Sequence, residues 1–69
     1  MEVTEIRKAL IGCLNCLNLQ KESTLMIALS LESEKQMLTM MNWLRRHEKE
    51  HPSEDQVIMV ARNIQAQVS

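Results

Sequence analysis

Apolar residues recur at helical spacing along most of this chain, and the breaks in that spacing divide it into four segments. In residues 2–18, Val3, Ile6, Ala9, Leu10, Cys13, Leu14, Cys16 and Leu17 share one broad arc at about 100° per residue, with Thr4, Arg7, Lys8, Asn15 and Asn18 opposite. Ile11 and Leu19 fall outside that arc, and 18–22 reads as a connection. In 34–50, Met37, Met40, Met41 and Leu44 form a stripe at i, i+3, i+4, i+7, with Leu38 and Trp43 on its margins. In 54–67 the apolar face is Val57, Val60, Ala61 and Ile64, continued by Val68.

Two of these segments carry sharp start signals. Ser33-Glu34-Lys35-Gln36 and Ser53-Glu54-Asp55-Gln56 each open with a hydroxyl and reach Gln three residues later. In such a capping box the Ser oxygen accepts from a free amide of the first turn, while the Gln side chain returns to the amide of the cap. Pro52 stops the segment between them, because the residue before proline is pushed out of helical geometry.

Residues 24–31, Thr-Leu-Met-Ile-Ala-Leu-Ser-Leu, admit two readings. As a helix capped by Ser23 they are apolar nearly all round and would sit buried between neighbours. As a strand, Leu25, Ile27, Leu29 and Leu31 alternate with Thr24, Met26, Ala28 and Ser30. So short an apolar run is not decided by its period. The strand would need an intermolecular ribbon in a dimer, since the chain offers it no second strand; Ala, Met and Leu favour the helix. The expected fold is therefore all-α, a single domain over 1–69 built as a small bundle of three to four helices at about 2–18, 24–31, 34–50 and 54–67.

Composition agrees with this outline. The chain has 69 residues and is 45% hydrophobic, yet it has no Phe or Tyr, one Trp, one Gly and one Pro. That hydrophobic content is too high for a disordered chain, and the scarcity of aromatic residues disfavours a sheet. A chain of this length buries only about 60% of the surface it exposes when unfolded. Domains so small often lean on a metal, a disulfide or a partner chain.

Charge narrows the function classes. Eight basic and nine acidic residues leave a net charge of −1 with the basic residues scattered, so the one-sided basic stripe of a nucleic-acid binder is missing. Met1-Glu2-Val3-Thr4-Glu5 carries acid where a secretory signal needs base. The apolar stretch from Leu10 to Leu19 is interrupted by Asn15 and Asn18 and falls short of the roughly 20 residues of a membrane span. The expectation is a cytoplasmic protein, without membrane contact, whose two cysteines stay reduced.

Candidate chemistry is sparse. Cys13-x-x-Cys16 and His47-x-x-x-His51 place two thiols at i, i+3 and two imidazoles at i, i+4, a donor set able to close a tetrahedral zinc site if the first and third helices bring the pairs together. Against zinc, Cys13 lies at the centre of an apolar arc, where a thiol packs as a small hydrophobe. The histidines stand near a helix C-terminus, where a cation is welcome. No glycine-rich phosphate loop or paired-carboxylate cleft is present, and a nucleophilic Cys needs an exposed, activated thiolate. An enzyme is not expected, nor a cofactor.

The expected function is a protein–protein interaction module that self-associates or docks on a protein partner. Its contact edge is expected at Met37, Met40, Trp43 and His47, where adaptable Met side chains meet an aromatic residue of the type enriched at interface hot spots. The alternative is a small DNA-binding regulator in one of two forms. A helix-turn-helix would present Arg62, Asn63, Gln65 and Gln67 from the last helix. A ribbon-helix-helix dimer would turn Thr24, Met26, Ala28 and Ser30 of the ribbon toward DNA.

Overall fold

The computed structural model describes residues 3–67, and these are all-helical with short links. The helices are α1 (Val3–Asn15), α2 (Lys21–Ser30), α3 (Glu34–His47) and α4 (Glu54–Gln67), and a 310 turn, Glu48–Glu50, follows α3. The anticipated start of the first helix at residue 2 and the core position Val68 lie outside the described residues, as does the side chain of Val3. Residues 24–31 do not form a strand: 24–30 are the body of α2, so the dimeric ribbon has no element to build it.

The starts of α3 and α4 have a local cause. The start of α3 is the capping box read from the sequence, with Ser33 Oγ accepting from the Gln36 amide at 3.1 Å. Gln36 Oε1 accepts in return from the amides of Glu32 at 2.9 Å and Ser33 at 3.3 Å. At α4, Ser53 Oγ accepts from the Gln56 amide at 3.2 Å. Replacing Ser33 with Ala is expected to cost about 1 kcal/mol. It should lower the urea midpoint while leaving the denaturant slope unchanged.

The end of α1 comes three residues before the anticipated Asn18. After Asn15 the chain tightens into a turn, Leu17 N–H donating to Leu14 O and Asn18 N–H to Asn15 O. Asn18 then takes a left-handed conformation, φ 58°, which Asn tolerates better than most side chains. The start of α2 lies at Lys21, three residues before the anticipated 24. Its N-cap is Gln20 rather than Ser23, without a side-chain cap. Ser23, freed from capping, hydrogen-bonds Glu54 at the first turn of α4. The α-helical part of α3 gives way to the 310 turn after His47, and left-handed His51 (φ 52°) reverses the chain ahead of buried Pro52.

The C-terminal end of α2 has no glycine, so its orphan carbonyls need other donors. Ser30 Oγ and the Leu31 amide both donate to Ile27 O. Gln65 Nε2 of α4 donates to Ser30 O at 2.6 Å, and Arg7 Nη2 of α1 donates to Leu31 O at 3.2 Å. Side chains from the first and last helices thus finish the second.

The helices pack as a ring: α1 against α2 and α3, and α4 against α2 and α3. Since Ser23 meets Glu54 and Ser30 meets Gln65, α2 and α4 lie side by side and run in the same direction. The core is one cluster, with Ile6, Leu10 and Leu14 from α1, Ile27 and Leu31 around α2, the anticipated stripe Met37, Met40, Met41 and Leu44 from α3, and Val57, Ala61 and Ile64 from α4. Within the predicted arc of α1, Ala9 and Cys16 are exposed and Cys13 and Leu17 are half-buried.

Candidate protein-binding surface

The contact edge read from the sequence divides in the fold. Met37 and Met40 have no exposed surface, because α3 turns its Met stripe inward onto the other helices. Neither can touch a partner while the fold holds, which corrects their place in the expected interface. Trp43 and His47 stay half-buried at the surface and stack at 4.5 Å between ring centroids, 29° from coplanar. Nδ1 of His47 lies 2.7 Å from Glu50 Oε2.

The four potential zinc ligands do not gather. Cys13 and Cys16 are free thiols lining a small hollow with Leu44, Arg45 and Glu48. His47 instead lies on Trp43 beside Glu50, and His51 is exposed on the far side of the 310 turn. Among the described residues, no three His, Cys, Asp or Glu side chains are placed to hold one metal ion. Of the residues considered for reading DNA, Arg62 and Asn63 are exposed on α4, and Gln65 is engaged by the end of α2.

The surface that stands out is on α2, whose ten residues run Lys-Glu-Ser-Thr-Leu-Met-Ile-Ala-Leu-Ser. Thr24, Ile27 and Ala28 are buried. A helix apolar all round is normally covered on every side, but α2 sits at a corner of the ring with its outer side open. Leu25, Met26 and Leu29 are therefore 42%, 49% and 65% exposed. Alongside them runs a shallow groove between α2 and α4, walled by Met26 and Ser30 on one side and by Ile58, Arg62 and Gln65 on the other. Met59, next to Ile58, is also exposed. Among the described residues, the two other helices show one exposed large apolar side chain between them, Leu38 of α3.

A signal for this surface was present in the sequence. The all-round apolar character of 24–31 called for cover on every side, and α2 receives it on its inner side alone. Comparisons with protein-family models, with curated proteins and with solved structures find no match to this chain. No described helix is long and apolar enough to cross a membrane.

Proposed function

We propose that this chain is a non-enzymatic protein-interaction module that docks through the outer side of α2. The observation that carries the reading is the clustering of Leu25, Met26 and Leu29 on one ten-residue helix beside an apolar-walled groove. Isolated apolar residues on a surface need no explanation, whereas a contiguous set rimmed by charge is the usual mark of a binding site. The rim here is Lys21 and Glu22 at the start of α2 and Arg62 on the groove wall. Met26, unbranched and flexible, supplies apolar area that a partner can mould against, next to Leu29.

A photo-crosslinking residue placed at position 29, in cells that produce the chain, tests this. The expected result is a discrete protein adduct from position 29 and none from the exposed control position Lys49 on the 310 turn. No adduct at position 29 would reject the surface.

A further inference from the structure

We infer that Cys13 and Cys16 together form a two-sulfur site for one soft monovalent metal ion, Cu(I). The site stands apart from the outer side of α2 and does not depend on the docking surface there.

The end of α1 brings the pair together. Cys13 lies in the last turn of α1, and Cys16 in the turn that follows Asn15. Side chains three residues apart on a helix are neighbours, with Cβ atoms about 5–6 Å from one another. Both cysteines line the same small hollow, whose other walls are Leu17, Leu44 and Arg45 of α3, and Glu48 of the 310 turn. Neither forms a disulfide, and among the described residues neither thiol is held by a hydrogen bond. The periodic pattern sets Cys13 at the centre of a core-facing arc, but the fold leaves it half-buried and leaves Cys16 exposed. An ion therefore reaches the pair from solvent through Cys16.

The donor set selects the ion. Thiolate sulfur is a soft ligand and favours soft cations such as Cu(I) over hard ones. A closed zinc site takes four donors. Among the described residues, no third His, Cys, Asp or Glu is placed to join these two. A closed-shell monovalent cation is satisfied by two sulfurs in line with it. With metal–sulfur bonds of about 2.3 Å, the length found in zinc thiolates, the sulfurs stand roughly 4.6 Å apart. Neighbouring side chains on one helix can span that distance.

The walls suit the charge that results. Cu(I) displaces one proton from each thiol to solvent and stays in its +1 state. The ion with its two thiolates then carries one negative charge. Arg45 is the cation on the wall, and the carboxylate of Glu48 offsets part of its effect. Leu17 and Leu44 limit the access of water to the sulfurs, which favours a covalent metal–thiolate bond over hydration.

The test is an oxygen-free titration of the reduced chain with Cu(I) against a chromogenic Cu(I) chelator, with stoichiometry read by native mass spectrometry. One Cu(I) per chain is expected. Cys13→Ser and Cys16→Ser should each weaken binding at least a hundred-fold, because either leaves a single sulfur. Cys16 is exposed, so Cys16→Ser keeps the fold, and circular dichroism checks Cys13→Ser. A melt in the presence of Cu(I) adds a readout that an unstructured pair of thiols would not move. Wild type should melt higher with the ion than without it and Cys16→Ser should not, since a ligand stabilises only the state it binds more tightly. Full affinity after either substitution would overturn the two-sulfur site, as would one ion shared between two chains. Saturating binding with no rise in the melting temperature would show that the fold does not build the site.

Discussion

Met40→Ala is expected to destabilise the fold strongly instead of loosening a partner. Met40 has no exposed surface and belongs to the cluster that joins all four helices. Truncating a buried Met to Ala typically removes about 2–5 kcal/mol, from lost transfer energy plus the cavity left behind. A chain of this length has a total stability of roughly 3–10 kcal/mol. The loss is thus about a fifth of the total at the least, and the melting temperature should fall by about 10 °C or further. Met40→Leu, close in volume, should cost less than about 1.5 kcal/mol. Thermal melts followed by circular dichroism separate the cases. A Met40→Ala protein that melts within a few degrees of wild type would show that this side chain is not packed as described.

Thr24→Val is expected to do the reverse and stabilise the chain by about 1–2 kcal/mol. Thr24 is 2% exposed, and its Oγ1 has no hydrogen-bond partner among the described residues. A buried hydroxyl without a partner has lost its water and gained nothing in return. Valine keeps the branched shape, removes the stranded polar atom and has nearly the same helix propensity. Urea denaturation should show a higher midpoint with the same slope. A lower midpoint would mean that the hydroxyl has a partner in solution.

Where the chain states its boundaries chemically, the sequence could be read closely. Ser33 and Ser53 place the starts of α3 and α4 to the residue, and the spacing of Met37, Met40, Met41 and Leu44 gives the buried side of α3. The end of α1 and the start of α2 were less legible because neither carries a strong local signal. Asn18 supplies the left-handed turn that Gly usually marks, and Gln20 caps α2 without a side-chain bond. Ser23, which looks like a cap, is taken by Glu54, thirty-one residues away. A contact of that range leaves no trace in local pattern.

The candidate surface was legible only in part, and for a related reason. Periodicity tells which residues share a side of a helix, and so correctly placed Trp43 beside His47. It does not tell which side the neighbouring helices leave uncovered. For α3 the apolar stripe is one-sided, and the inward direction takes Met37 and Met40 with it. For α2 no side is polar enough to choose. The packing of α1 and α4 chooses, leaving Leu25, Met26 and Leu29 outside.

The ring of helices has a consequence for how the chain is made. Synthesis delivers α1, α2 and α3 before α4, yet α4 supplies Val57, Ala61 and Ile64 to the one core and also finishes the end of α2 through Gln65. Until α4 leaves the ribosome, the sides of α2 and α3 that it covers stand open to water. A nascent chain that has not yet made α4 thus exposes apolar surface of the kind that promotes aggregation.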